Sequence, residues 1–220
     1  SVSVSKSDPN VIYVGGGEVT VRGNVSSGYG IWKTVNAGKS WSFSGLPKSR
    51  HIPRIVINPK NPNILYAAVL GNIYKPTPER GVYKSIDGGK NWERILFSNQ
   101  HSGAVELVMD PSNSRILYAS TWRLNRTPYS LNSGGKGSAL WKSTDEGKNW
   151  TEISNNQGFA KGILGIIGVT VSPVNSQRVW AIVENKDDGG VYRSDDGGIT
   201  WSHINDSRAL RQRAWYYSKI

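Results

Sequence analysis

The sequence predicts an all-β fold: β-propeller blades of four antiparallel strands, together a partial arc of a larger propeller. Three observations predict it. One octet recurs four times, as Thr34-Val-Asn-Ala-Gly-Lys-Ser-Trp41, Ser85-Ile-Asp-Gly-Gly-Lys-Asn-Trp92, Ser143-Thr-Asp-Glu-Gly-Lys-Asn-Trp150 and Ser194-Asp-Asp-Gly-Gly-Ile-Thr-Trp201, with the tryptophans 51, 58 and 51 residues apart. A turn leading into a short β-rich run recurs at the same rhythm. The aromatic content is lopsided, nine Trp against three Phe, as happens when one position is copied. A fixed period of this size marks an array of repeated units. Four short strands per unit mark a propeller blade.

The elements follow in order. Asp8-Pro-Asn leads into Val11-Ile-Tyr-Val, and Asn58-Pro-Lys leads into Ile64-Leu-Tyr-Ala. Asp110-Pro-Ser leads into Ile116-Leu-Tyr-Ala, and Ser172-Pro-Val leads into Val179-Trp-Ala-Ile. Asx-Pro pairs are turn chemistry, and the β-branched and aromatic runs after them are strand chemistry. The second repeat reads most clearly: strand a over 54–57, strand b over 64–70, strand c over 81–85 and strand d over 92–96. On this register the blades cover about 1–44, 52–97, 104–153 and 163–204, with Val2 and Val4 in the first strand a. Residues 214–220 read as the first strand of a further blade, after a loop at 207–213. A blade needs neighbours on both faces, so four blades and one strand predict an arc, not a closed ring.

Composition narrows the chemistry. Over 220 residues, 37% are hydrophobic and 20% charged, which excludes disorder. The absence of cysteine excludes disulfide staples, a thiol nucleophile and thiolate metal sites. No apolar run nears the ~18 residues of a membrane span, and Ser1 opens no signal peptide.

The octet has a local physical reading as the hairpin between strands c and d. Its third-position Asp can accept backbone N–H groups of its own turn. Its first-position Ser or Thr adds a hydroxyl partner, and its fifth-position Gly supplies a positive φ at low cost. Its Trp folds back as an apolar plug with an N–H free for backbone. Asn36 and Trp41, Asp87 and Trp92, Asp145 and Trp150, and Asp196 and Trp201 are therefore assigned to structure. A catalytic residue is needed once, whereas these occur in every blade, and Asn36 could not serve as an acid. No metal site is expected, because calcium loops need several oxygen ligands in close succession, and no cofactor is expected.

The Ser/Thr-x-Asp-x-Gly-x-x-Trp octet resembles the Asp-box, or bacterial neuraminidase repeat. Four copies in register are similar to the propellers of sialidases, xyloglucanase-type glycoside hydrolases and sortilin-like sorting receptors. The likeness is strongest to large secreted bacterial repeat proteins described as sortilin-like or glycosyl-hydrolase-like. It is carried also by His51-Ile-Pro-Arg-Ile-Val-Ile-Asn-Pro, Glu79-Arg-Gly-Val-Tyr-Lys-Ser and Arg211-Gln-Arg-Ala-Trp-Tyr-Tyr. The resemblance implies the fold and a secreted, periplasmic or cell-surface location. Arg50-His51-Ile52-Pro53 departs from the sialidase Arg-Ile-Pro segment by an inserted His. The cysteine-rich module of the sorting receptors is missing. No motif matches the paired catalytic aspartates of the xyloglucanase-like enzymes.

Function is expected on the face opposite the octets. The a–b and c–d turns are short and alike; the b–c loops, 15–29, 71–80, 121–138 and 184–189, are mostly long and dissimilar. Varied loops on a rigid scaffold are where binding is placed. The ligand-binding candidates there are Glu18, Arg22, His51, Arg54, Glu79, Arg80, Trp122 and Arg126. Glu18–Arg22 could orient a polar ligand, His51 could act as a base, and Trp122 and Tyr129 could stack on sugar rings. Each has a structural counter-reading as an ion pair, a packed ring or an ordinary loop residue. The net charge of +11 places many arginines on this face, a field that draws acidic glycans or acidic protein segments. No recognition module or dense basic run supports nucleic acid. The expected function is an extracellular or periplasmic module that binds a polysaccharide or protein ligand, with the remaining blades of a larger propeller as partners. The alternative is a glycoside hydrolase or lyase. That would need two facing carboxyl groups, for which only Glu18, Glu79 and Glu106 come into question, and no catalytic residue is assigned. The balance leans away from an enzyme for this segment.

Overall fold

A computed structural model describes residues 1–220, the side chain of Tyr217 excepted. It holds four antiparallel sheets in chain order. Blade 1 is β1 (Val2–Val4), β2 (Ile12–Gly15), β3 (Ile31–Thr34) and β4 (Ser42–Phe43). Blade 2 is β5 (Arg54–Ile57), β6 (Leu65–Val69), β7 (Gly81–Ser85) and β8 (Glu93–Leu96). Blade 3 is β9 (Ser102–Met109), β10 (Leu117–Arg126), β11 (Leu131–Ser133), β12 (Ala139–Ser143) and β13 (Thr151–Glu152). Blade 4 is β14 (Ile167–Ser172), β15 (Asn175–Val183), β16 (Gly190–Ser194) and β17 (Ser202–Asn205). The first strands β1, β5, β9 and β14 stand side by side around the axis. The result is a partial propeller arc.

Burial explains why the second strands read as unbroken apolar runs. β6, Leu-Tyr-Ala-Ala-Val, is buried at every position because neighbouring blades cover both its faces. Leu65, Ala67 and Val69 join Tyr13, Ile31 and Ile55 in the layer between blades 1 and 2. Tyr66, Ala68 and Val82 join Leu107, Leu117 and Ala119 in the layer between blades 2 and 3. A third layer, with Tyr118, Leu140, Val169, Ala181 and Tyr192, joins blades 3 and 4.

Two segments differ from expectation. Residues 121–138 are not an open loop: β10 runs on to Arg126 and pairs with β11, Leu124 opposite Ser133. Trp122 and Leu124 alternate with Arg123 and Asn125, so the hairpin buries one face. Residues 214–220, read as a strand, instead hold α1 (Ala214–Tyr217) after a 3₁₀ turn (Arg208–Arg211). A strand needs a neighbour's N–H and C=O groups, and among the described residues no strand pairs with this segment. It folds on itself, Ser218 N donating to Ala214 O at 3.1 Å, and sets Ala214 and Trp215 against the loop face.

Candidate functional site on the loop face

The octets form the opposite end of the blades, and the third-position side chain of each is satisfied within its own turn. Asp87 Oδ1 accepts Ser85 Oγ at 2.8 Å, Lys90 N at 3.0 Å and Asn91 N at 2.9 Å, while Oδ2 accepts Asn91 Nδ2 at 2.7 Å. Ser85 Oγ in turn accepts Gly89 N at 2.9 Å. Asp145 and Asp196 repeat the pattern. Asn36 does so with an amide, accepting Ser40 N at 2.9 Å and donating to Ser40 Oγ at 2.8 Å. The Asn91 backbone and side-chain N–H groups hold the Asp87 carboxyl at about 2, and Asn149 does the same for Asp145. At Asp196 partial burial pulls upward, but the Thr200 hydroxyl and N–H prevail and the value is also about 2. A carboxylate held this low is a permanent acceptor, unsuited to proton transfer near neutrality. Trp92 Nε1 donates to Ser44 O at 2.7 Å and Trp201 is buried, whereas Trp41 is exposed.

The loop face is built differently. Its floor is a small apolar core in which every blade takes part: Val21 and Val25, Leu70 and Ile73, Trp122 and Leu124, and Ile166, with Ala214 packed on them. Polar braces tie the loops together above it. Arg126 Nε donates to Arg22 O at 3.0 Å and its guanidinium also reaches Ser130 O at 2.6 Å. Tyr74 OH donates to Val25 O at 3.2 Å. Glu184 accepts Ser133 Oγ at 2.6 Å, Ile166 N at 2.9 Å and Trp215 Nε1 at 2.7 Å.

Several expected ligand contacts prove to be part of this scaffold. Trp122 is fully enclosed with its Nε1 on Ser133 Oγ at 2.9 Å, so its ring cannot stack on a sugar. Arg80 is buried and donates to the carbonyls of Asn72 at 2.6 Å, His101 at 2.9 Å and Leu124 at 3.4 Å. Burial without a carboxylate partner pulls its pKa down to about 10. His51 is buried, its Nδ1 2.8 Å from Glu18 O, and desolvation lowers its pKa, so it is neutral and enclosed. Arg54 pairs with Glu106 across β5 and β9 at the axis, and that hydrogen bond raises the Arg54 pKa. Glu106 is buried in this pair. Glu79 accepts the Thr77 hydroxyl.

What remains open is a rim on the first three b–c loops. Glu18 and Arg22 form an ion pair, Arg22 being 53% exposed, and Glu18 also accepts Ser26 N at 3.1 Å. The Ser26 N–H, aided by Arg22, lowers the Glu18 pKa despite some desolvation. Arg126 is half-buried beside them. Tyr129, at the tip of the β10–β11 hairpin, is 91% exposed, and Tyr74 is exposed on the blade 2 loop. Beyond β11 the face opens into a cleft of about 620 Å³ lined by Ile163, Glu184, Asn185, Lys186, Arg208 and Arg211. A second cavity, about 370 Å³, runs along the axis beside Ser3, Lys6, Arg54, Ile57, Met109 and Asp110. Among the described residues, no group of three or more His, Cys, Asp or Glu side chains gathers as metal ligands do. Sequence reasoning missed Tyr74 and Glu184; only their positions inside variable loops could have pointed to them.

With this geometry in hand, the relatives are informative. No protein-family model matches the chain. It is 26% identical over 178 residues to xyloglucanase Xgh74A of Acetivibrio thermocellus, covering 70% of this chain and 20% of that protein. It is 27% identical over 205 residues to a xyloglucanase of a Paenibacillus species, covering 87% of this chain and 17% of the relative. The chain thus spans about a fifth of the length of these curated relatives. Among solved structures, the GH74 xyloglucanase of Xanthomonas campestris superposes with a TM-score of 0.69 at 20% identity, over 96% of this chain and 31% of that one. The GH74 enzyme of Niastella koreensis gives 0.63 at 21% identity, over 91% of this chain and 28% of that one. These structures show the propeller fold.

Proposed function

We propose that the chain is part of an extracellular polysaccharide-binding propeller that grips its ligand on the b–c and d–a loop face. The observation that carries this reading is the contrast within that face. Arg80, Trp122 and Glu184 lock the loops onto a dry floor, while Arg22, Tyr74 and Tyr129 stay at the surface. A pre-ordered surface loses little entropy on binding, and exposed tyrosines offer flat faces for sugar rings. Arg22, exposed beside Glu18, and Lys186 and Arg208 of the neighbouring cleft favour ligands that carry carboxylate or sulfate groups. The xyloglucanase relatives support a polysaccharide as ligand class. A polymer of that size is met outside the cytoplasm, which supports a secreted, periplasmic or cell-surface location. The octets read as Asp-boxes in this view, serving the scaffold, and the ligand surface continues onto the remaining blades of the larger propeller.

Hydrolysis is the second reading, favoured by the activity named in the relatives. Glu18 does not support it within this segment. Its pKa is lowered, whereas a general acid needs it raised. Two assays separate the readings: a glycan array with xyloglucan and acidic polysaccharides, and reducing-sugar release from the same polymers. Binding that weakens on the order of 100-fold in an Arg22→Ala, Tyr129→Ala variant supports the module, since two lost contacts at about 1–2 kcal/mol each remove about 2–4 kcal/mol together. Binding unchanged in that variant removes the loop-face assignment. Sugar release by the 220-residue chain would replace binding with hydrolysis.

A further inference from the structure

The blades are joined by a lock that repeats three times. Tyr13 OH and Lys33 Nζ of blade 1 both donate to Gly88 O of blade 2, at 3.1 and 3.0 Å. Tyr66 OH and Lys84 Nζ of blade 2 donate to Glu146 O of blade 3, at 3.3 and 3.1 Å. Tyr118 OH and Lys142 Nζ of blade 3 donate to Gly197 O of blade 4, at 3.1 and 2.7 Å. The donors are always a Tyr on the second strand and the Lys opposite it on the third. The acceptor is always the fourth residue of the next octet. That residue has positive φ, 74° at Gly88, 63° at Glu146 and 70° at Gly197.

Blade 1 has the acceptor half of this lock and no donor seated on it among the described residues. Its fourth octet residue, Ala37, holds φ 55°, a conformation that costs a non-glycine residue energy. Its N–H is fixed on Asn10 O at 3.0 Å, just as Gly88 N is fixed on Asn63 O at 2.9 Å. The sheet face beside it is apolar and bare. Val2 lies opposite Val14, which lies opposite Trp32, which lies opposite Phe43. Val2 is 70% and Val4 50% exposed. The positions equivalent to Val2, namely Ile55, Leu107 and Val169, are buried, each covered by the blade before it, whereas Ile57 and Met109, equivalent to Val4, are half-buried.

We propose that the outer face of blade 1 seats the preceding blade of the larger propeller, and that this blade delivers an aromatic hydroxyl from its second strand and a Lys or Arg from its third onto the Ala37 carbonyl oxygen. The proposal rests on the partial-arc reading, and it adds the register and chemistry of the joint. The occupant is a blade because the bare face continues an interface already made three times with one set of positions. A loose peptide strand or a membrane surface offers no paired donors at that spacing.

The test compares the 220-residue chain with the longer protein that carries the whole propeller. Single Val2→Cys and Val4→Cys variants report on the face, and Val35→Cys, on the exposed octet hairpin, is the control. Thiol labelling is read by peptide mass at the engineered position. In the short chain all three label quickly. In the whole propeller, Val2→Cys is expected to label on the order of 100-fold more slowly than Val35→Cys, since a covered thiol reacts only through opening, while Val4→Cys, at the position of the half-buried Ile57 and Met109, slows less. Equal rates in the whole propeller would overturn the docking face. The lock is read from a structure of the whole propeller: a phenol oxygen and a cationic nitrogen within about 3.3 Å of Ala37 O are expected. A covered face with neither group there would overturn the lock. Neither measurement uses glycan binding, so failure of the loop-face function shows separately in the array.

Discussion

The two ends of the blades solve the same problem in opposite ways. At the octet end, each third-position side chain finds its partners locally: Asp87 meets Lys90, Asn91 and Ser85, all within its own turn. At the loop end local contacts such as Glu18–Arg22 and Arg126–Ser130 are joined by ties between blades. Arg80 spans to Leu124, Arg126 to Arg22, and Glu184 to Ser133 and Trp215. Local closure can be copied from blade to blade and tolerates change one unit at a time. The cross-blade ties of the loop end each use different partners and do not repeat, which leaves that end as the place where single substitutions do most damage.

The largest effect is therefore expected at Trp122. Trp122→Ala empties the centre of the loop-face floor and should cost about 3–5 kcal/mol, read as a lower urea midpoint with an unchanged slope. A cost under about 1 kcal/mol would mean the floor is not a core. Arg80→Met comes next. It removes the charged donor from the Asn72, His101 and Leu124 carbonyls, His101 O keeping Leu124 N at 3.3 Å, for an expected loss of about 2–4 kcal/mol. The accompanying signature is faster amide exchange in 71–80 and 121–126 and not in the octets. Uniform loosening of all four blades would contradict the division between the two ends.

The same division decided what the sequence could disclose. The octets and Asx-Pro turns were legible because their chemistry lies within a few residues and recurs, so the blades, their order and the hairpin role of Asp87, Asp145 and Asp196 follow from inspection. Trp122 and Arg80 were not legible as scaffold. In sequence each is a large or charged residue in a variable loop, the usual sign of a ligand contact. Their enclosure comes from residues tens of positions away, such as Ser133, His101 and Leu124. The hairpin of β10 with β11 hid for a related reason: its turn, Thr127 to Ser130, lacks the Asn-Gly or Asp-Gly pair that announces a tight hairpin. Strand character at 214–220 was real in composition, yet a strand without a ladder has no reason to stay extended.

The inter-blade lock seats on the octets themselves, and its removal should have an intermediate effect. Lys84→Met keeps an unbranched side chain of similar length and deletes the ammonium that bonds Glu146 O and lies over the Tyr66 ring. The expected cost is about 1 kcal/mol, a melting shift of roughly 2–4 °C for a domain of this size. Lys33→Met and Lys142→Met should come close to it, because the three sites share the carbonyl contact, while Lys84 alone adds an ion pair with the partly exposed Glu146 carboxylate. A tenfold spread among the three would show that the lock is incidental to blade packing.

Acid should produce the most selective change, and it sets one octet against the other three. Asp87, Asp145 and Asp196 have folded-state values near 2, below the ordinary 3.8. A depressed carboxylate adds stability that is complete above its unfolded value and is lost as pH falls through its folded value. The window is therefore from about pH 4 down to about pH 2. Asn36 cannot titrate, so the first octet has no share in this loss. Amide shifts of Asn91, Asn149 and Thr200 should move together with midpoints near 2, while Ser40, the equivalent donor on Asn36, stays flat. An Asn36→Asp variant should bring Ser40 into line with the others without moving their midpoints, because each third-position side chain is satisfied within its own turn. A Ser40 titration in the unmodified chain would show that the octets communicate, and the contrast between a self-contained end and a woven end would fail at its simplest point.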